Sequence, residues 1–189
     1  MKRTQIFLIV LTIAFALLPA ATWAFFKPIR VIAPSLNGTT CYAQVCVEDP
    51  ETLPRAQELV DTAMANTAVK LKPLISTPRA VFCSTRECYD AFGGKGRGVA
   101  VFNLGIVIPP DSWQVYIVEH ELIHMLQAQE LGLRGRESSP MWFKEGMAFY
   151  VSDPPEFDMP DYARSWVSEY KAWEAKVGRE NVWDEIQRR

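Results

Sequence analysis

The only two histidines of this 189-residue chain lie four positions apart, in the sequence His-Glu-Leu-Ile-His that runs from His120 to His124. Four residues are a little more than one helical turn, so a helix places both imidazoles on one face, where they can bind one ion. Glu121 lies beside that face, where a carboxylate can accept a proton from a metal-bound water. The pattern predicts a helix that carries two metal ligands and a general base.

A third protein ligand is needed, because a catalytic zinc ion usually has three and leaves its fourth position to water. Glu145 is the candidate, since twenty residues separate it from His124. That spacing is enough for the rest of one helix, a turn and the start of a second helix. The predicted metal site therefore consists of His120, His124 and Glu145.

Capping signals predict the same helix-turn-helix arrangement independently. Asp111, within a capping box, is the predicted N-cap of the first helix, and Gly132 is its predicted C-terminal stop. Residues 133–138 are then expected to form a polar loop. Ser139 is the predicted N-cap of the second helix, with Pro140 in its first turn.

Two motifs of the chain resemble those of the gluzincin metallopeptidases, the thermolysin-like and aminopeptidase-N-like group: His120-Glu121-x-x-His124 and Trp142-x-x-Glu145-Gly146-x-Ala148. The resemblance covers roughly residues 98–152. It implies zinc as the cofactor, bound by the two histidines and the second glutamate. It also implies hydrolysis of peptide bonds through a zinc-bound water, with Glu121 as the general base.

The resemblance further implies an α+β, zincin-like fold, in which a small twisted sheet packs on the active-site helix and further helices follow. In gluzincins the strand before that helix is a sheet edge that pairs with an extended peptide substrate. Residues 99–103 are the candidate for this strand by resemblance.

The chain departs from the family pattern at two places. Gluzincins generally add a tyrosine or histidine that donates to the developing oxyanion, and no third histidine is present. The candidates for this donor are Tyr162, Tyr170 and Arg164.

In thermolysin-like enzymes an aspartate supports one of the metal ligands, but Phe149 occupies that position here. Asp153, Glu119 or a backbone carbonyl is expected to support the ligand instead.

Other interpretations of the motif stay open. The small size of the chain is compatible with a zinc-binding module of low turnover, used in binding or envelope assembly. Hydrolysis of a non-peptide amide or an ester would use the same machinery. The apolar helix around the histidines could also be purely structural. A ferritin-like di-iron site is excluded, because it needs a second E-x-x-H motif and no third histidine exists.

Residues 1–24 have the pattern of a secretory signal peptide: a basic start at Lys2 and Arg3, an apolar centre, and small residues up to Ala24. Cleavage there would leave residues 25–189 as a single domain. Residues 6–26 are also just long enough for an uncleaved membrane anchor, although the short apolar centre favours cleavage. Both alternatives predict an exported protein, periplasmic or secreted.

The four cysteines form two C-x4-C pairs, and an even count in an exported chain favours disulfides. Sequence permits three connectivities, of which the local pairs Cys41–Cys46 and Cys83–Cys88 are expected. A zinc site built from all four cysteines is the alternative, but the usual C-x2-C spacing is absent.

Charge argues against a nucleic-acid partner, because the formal net charge is −2 and no cluster of Lys and Arg is present. The expected partner is a protein or peptide substrate. The glycine-rich segment 93–98 lacks the spacing of a phosphate loop and is predicted to be a flexible loop at the rim of the active cleft, shaping substrate access. Periodicity predicts the remaining elements, namely strands at 27–33, 42–47, 79–83, 99–102 and 106–108 and helices at 51–71, 84–91, 159–177 and 180–189.

Overall fold

The computed structural model describes Gln5, Leu11, Thr12, Phe15, Leu18 and residues 21–188. Most of the predicted signal peptide lies outside the described residues, so its cleavage stays a prediction. Within the part that is described, no helix has the length and apolar character needed to cross a membrane.

The fold is α+β and is built on one mixed five-stranded sheet with the strand order β1-β2-β3-β5-β4. The β1–β2 and β4–β5 pairs are antiparallel, and the β2–β3 and β3–β5 pairs are parallel. β4 therefore forms one edge of the sheet. The strands are β1 (Thr40–Tyr42), β2 (Val45–Val47), β3 (Arg79–Phe82), β4 (Val99–Val101) and β5 (Gly105–Ile108).

Six helices of the described chain follow residue 50 and pack on the sheet or on one another. They are α1 (Leu53–Lys70), α2 (Arg86–Ala91), α3 (Val115–Ser138), α4 (Met141–Ser152), α5 (Asp161–Val177) and α6 (Val182–Gln187). Single-turn 3-10 segments precede α1, α5 and α6.

Alternation along the strands sends side chains to both faces of the sheet. Phe82 and Ile108 pack with α1 and α3 on one face, whereas Val81 and Val107 pack with α2 and the N-terminal residue Val31 on the other. A third apolar cluster joins the buried side of α3 to α4, α5 and α6. α3 is thus held between the sheet and the helical layer, which fixes the helix that carries the histidines.

The predicted strand at 27–33 is wrong, because this segment forms a 3-10 helix over Lys27–Ile32. Pro28 fixes φ and removes an amide donor, which disfavours a strand within a sheet. The guanidinium of Arg30 donates to the carbonyls of Trp23 and Ala91. These contacts pin the turn against the sheet face that Val31 helps to cover.

The predicted strand at 42–47 is a hairpin instead, since the chain reverses at Ala43, which has a φ of 53°. The hairpin puts Cys41 opposite Cys46, and these two residues form a disulfide. The second disulfide joins Cys83 to Cys88. The expected local pairs are confirmed, and a four-cysteine zinc site is excluded because no free cysteine remains.

The start of α3 differs from the prediction. Asp111 does not cap the helix, because its carboxylate accepts a hydrogen bond from Arg86 at 2.6 Å. The helix begins at Val115 after Gln114, whose side chain makes no capping bond. The helix predicted at 84–91 likewise begins later, at Arg86, because Thr85 is its N-cap and accepts from the amide of Cys88 at 3.2 Å.

The connection between the two site helices is also different from the prediction. Gly132 breaks the helix with a φ of 68°, but the chain resumes helical geometry, so residues 133–138 are not a loop. Ser139 is not the N-cap of α4, because its hydroxyl donates to the carbonyl of Gly135 at 2.7 Å. Pro140 is the N-cap, and α4 begins at Met141.

Candidate metal centre

Three predicted ligands come together between α3 and α4. The Nε2 atoms of His120 and His124 are 3.1 Å apart. The Glu145 carboxylate lies across from them, with Oε2 at 3.4 Å from Nε2 of His120 and Oε1 at 3.4 Å from Nε2 of His124. The ligand-type atoms of all three residues lie within 4.8 Å of one another.

These distances fit a single zinc ion. Ligands at about 2.0–2.1 Å from a tetrahedral zinc ion lie about 3.3 Å from each other, and the three observed separations are 3.1–3.4 Å. A charge-assisted hydrogen bond from histidine to carboxylate would be shorter, at about 2.7–2.9 Å. Two imidazoles and one carboxylate are also a common donor set for catalytic zinc.

The glutamate and the second histidine influence each other's ionisation. Burial acts to raise the pKa of Glu145, but its close contacts with the rings of His120 and His124 outweigh burial and lower that pKa. Burial acts to lower the pKa of His124, yet the nearby carboxylate of Glu145 outweighs it and raises that pKa. Glu145 therefore presents an ionised carboxylate to the two rings.

Close packing of α4 on α5 fixes Glu145. A Cβ atom on Gly146 would lie 2.3 Å from the backbone oxygen of Trp166, so only glycine permits the two helices to approach this closely. Phe143, two residues before Glu145, is fully buried among the rings of α5. The residues Phe143 and Gly146, on either side of Glu145, therefore pack α4 against α5.

Gln127 supports His124, and sequence analysis did not identify it. Its Oε1 lies 3.0 Å from Nδ1 of His124, while its Nε2 donates to the carbonyl of Lys144 at 2.9 Å. Because the amide oxygen faces the ring, Nδ1 carries the proton and the Nε2 lone pair stays available for a metal. The i,i+3 spacing of Gln127 from His124 on a helix is the signal that could have indicated it.

The other expected supports have different contacts. Glu119 is buried, but its carboxylate accepts from the ammonium of Lys70 at 2.7 Å and thereby ties α3 to α1. Asp153 is the C-cap of α4 with a φ of 50°. Phe149 packs against the ring of His120 with centroids 4.5 Å apart. An aromatic contact therefore takes the place of a carboxylate at that position.

Glu121 is nearly buried and lies in the wall of the same cavity as the three candidate ligands. Within the described chain, its carboxylate has no hydrogen bond or ion pair. A Cβ atom on Gly98 would come within 2.7 Å of its Oε1, so the space that the carboxylate occupies exists because residue 98 has no side chain. The carboxylate of Glu121 is therefore available to contact a molecule in the cavity.

The cavity has a volume of about 350 Å³. Val99 and Ala100 of the edge strand line it together with residues 95–98 of the glycine-rich segment. Arg97 ties this segment across the rim, since its guanidinium donates to the Asp158 carboxylate at 2.8 Å and to the Tyr116 hydroxyl at 3.1 Å. The hydrogen bond from Arg97 also lowers the pKa of Asp158.

The three candidates for an oxyanion donor differ in burial and in whether they line the cavity. Tyr170 is fully buried, and burial together with Glu174, to which its hydroxyl donates, raises its pKa. Arg164 does not line the cavity and pairs with the exposed carboxylates of Glu156 and Asp161. Tyr162 alone of the three lines the cavity, with 62% of its surface exposed. Arg136 lines it as well, and sequence analysis did not identify it.

Comparison of the chain with protein-family models, with curated proteins and with solved structures found no match in any of the three.

Proposed function

We propose that this protein is an exported zinc-dependent metallopeptidase of the gluzincin type, with a zincin-like fold. The observation that carries the proposal is the separation of 3.1–3.4 Å among the donor atoms of His120, His124 and Glu145. This separation matches three corners of a zinc tetrahedron. Glu121 lies in the same cavity wall without a hydrogen-bonding partner in the described chain.

His120, His124 and Glu145 would hold the zinc ion, and Gln127 would keep the ring of His124 in the tautomer that binds a metal. When bound, zinc supplies Lewis-acid chemistry, because it polarises a carbonyl oxygen and lowers the pKa of a coordinated water. Glu121 accepts the proton of the attacking water and transfers it to the leaving amine. Tyr162 is the remaining candidate for a donor to the developing oxyanion.

Peptide is the substrate class that the surroundings of the cavity favour. Among the strands of the described residues, β4 pairs with β5 alone, so its other side is an unpaired edge of the sheet. Its residues Val99 and Ala100 line the cavity. An extended peptide can add to such an edge as a further strand, which would carry a peptide bond past Glu121. This agrees with the edge strand that the family resemblance implies.

Two disulfides support the exported location. Disulfides persist in oxidising compartments and are rare in the cytosol, and all four cysteines are paired here. The basic and apolar pattern of residues 1–24 supports the same location.

The test is hydrolysis of fluorescence-quenched casein by the zinc-loaded protein and by its Glu121→Gln variant. General-base catalysis contributes about 10²–10⁴-fold, so Glu121→Gln should lose that factor and keep its zinc. Glu58→Gln, on the exposed side of α1, is the matched control and should behave as wild type. Equal activity of Glu121→Gln and wild type would exclude this role. Zinc binding with no turnover of any peptide would favour the alternative of a binding module.

A further inference from the structure

Arg136 occupies an unusual position for a charged side chain. It follows the helix break at Gly132 by four residues and lines the same cavity as His120, His124 and Glu145. Only 16% of its side-chain surface is exposed. A guanidinium is always charged in proteins, so a permanent positive charge lies largely buried in the wall of the cavity that contains the candidate metal centre.

The hydrogen-bonding capacity of Arg136 is mostly unused. A guanidinium has five N–H donors, and only Nη1 has a partner in the described chain, the Glu137 carboxylate at 2.8 Å. Its Nε is buried and has no partner. Buried charges are normally paired and hydrogen-bonded, because desolvation is otherwise costly.

Glu137 does not balance this charge well. It is the next residue in sequence, and 61% of its side chain is exposed. Exposed ion pairs contribute little, since solvent screens them. The guanidinium therefore lacks the bidentate carboxylate partner that its planar shape suits.

The other charged groups of the cavity do not compensate for it. Glu145 faces the two histidines, and Asp158 is paired with Arg97. Glu121 has no hydrogen bond or ion pair with any described residue, Arg136 included. The cavity thus combines a proposed metal cation with an under-paired guanidinium, which favours an anionic ligand.

We propose that Arg136 binds a carboxylate of the substrate, so that the preferred substrates are peptides with a carboxylate close to the bond that is cleaved. The carboxylate has two possible sources, the free C-terminus of a peptide or the side chain of an Asp or Glu residue. This inference rests on the proposed peptidase function and specifies its substrate class. Arg136 acts here on binding and specificity rather than on the transfer of a proton.

The test measures affinity instead of turnover, so it can be read even if the protein hydrolyses nothing. Calorimetric titration would use zinc-loaded protein in the Glu121→Gln background, which leaves peptides intact. The probes are N-acetyl-Ala-Ala-Ala as the free acid and as the amide, and N-acetyl-Ala-Glu-Ala-amide beside N-acetyl-Ala-Gln-Ala-amide. Arg136→Ala and Arg136→Lys are compared with Arg134→Ala, an exposed arginine on the same segment that does not line the cavity.

The expected result is a preference for one carboxylate-bearing peptide over its neutral partner by roughly ten- to a hundredfold. Arg136→Ala should remove that preference and Arg136→Lys should keep part of it, because lysine retains the charge but loses the planar fork. Arg134→Ala should leave it unchanged. The ratio of affinities within each variant cancels any general loss of folded protein.

The two peptide pairs distinguish the sources. A preference only in the first pair indicates the C-terminal carboxylate, and a preference only in the second indicates an acidic side chain. A preference that survives Arg136→Ala would mean that the carboxylate binds elsewhere, for example on the metal, and would overturn the inference. Equal binding of all four peptides, or no binding of any, would overturn it as well.

Discussion

The side chain of Gln127 lies with its Oε1 3.0 Å from Nδ1 of His124, while its Nε2 donates to the backbone carbonyl of Lys144 at 2.9 Å. One buried amide therefore links a candidate ligand on α3 to the residue that precedes Glu145 on α4. This bridge sets both the tautomer of one ligand and the distance between the two helices.

Gln127→Leu should weaken zinc binding. Leucine fills a similar volume but leaves Nδ1 of His124 without its acceptor, and loss of such outer partners typically costs about 10–100-fold in metal affinity. The measurement is competition for zinc with a chelator of known affinity. Gln114→Leu, an exposed position at the start of α3 with no side-chain capping bond, is the control and should bind zinc as wild type does.

Gly98→Ala should reduce turnover and leave zinc binding intact. The new Cβ would lie 2.7 Å from Oε1 of Glu121 and 2.9 Å from its Cγ, so the proposed base must move. A displacement of about 1 Å can cost about 10²-fold in rate. The check is kcat on quenched casein beside zinc content. Unchanged kcat would show that the carboxylate need not lie where it is seen.

Gly146→Ala should destabilise the fold. The added Cβ would lie 2.3 Å from the backbone oxygen of Trp166, forcing α4 away from α5. Overpacking of this kind costs about 1–3 kcal/mol, which lowers Tm by roughly 2–12 °C in a domain of this size. Thermal unfolding followed by circular dichroism measures the change. Gly135→Ala, where only the Leu131 Cβ is near, should change Tm less.

Asp158→Asn should loosen the glycine-rich segment at the cavity rim. The substitution removes the charge that pairs with Arg97 at 2.8 Å, so the contact across the rim weakens. Hydrogen exchange of the amides of residues 94–98 should become faster. Asp161→Asn, which alters only an exposed pair with Arg164, should leave exchange in that segment unchanged. Equal exchange in both variants would show that the segment is held by other contacts.

Metal removal should lower thermal stability if zinc occupies the predicted site. A ligand that binds only the folded state at 100 times its dissociation constant stabilises that state by about 2.7 kcal/mol. Treatment with a chelator should therefore reduce Tm, and added zinc should restore it. An identical Tm before and after confirmed zinc removal would contradict this expectation.

Local sequence signals predicted the helices of the site and their three candidate ligands. His120 and His124 are linked by helical periodicity alone, and the short Cys83–Cys88 spacing made a local disulfide the expected pairing. Both features depend on contacts between residues that are close in sequence. The edge position of β4 was inferred by resemblance, and the strand order agrees with it.

Features that depend on tertiary context could not be predicted in the same way. Arg136 lines the cavity on a helical segment that continues after Gly132, whereas a glycine at that position predicts the end of a helix. The segment 27–33 has an alternating apolar pattern, yet Pro28 disfavours a strand there, and the segment is a 3-10 helix whose Val31 packs against the sheet face. Asp111 has the sequence context of a cap, but Arg86 binds its carboxylate instead.

The central claim is that His120, His124 and Glu145 bind one zinc ion. Elemental analysis of the purified protein beside a His120→Ala variant tests it most directly. We predict about one zinc per chain in the wild type and a loss of most of it in the variant, because removal of one of three protein ligands opens the site. A folded wild-type protein that holds no zinc, even after zinc is supplied, would contradict the account.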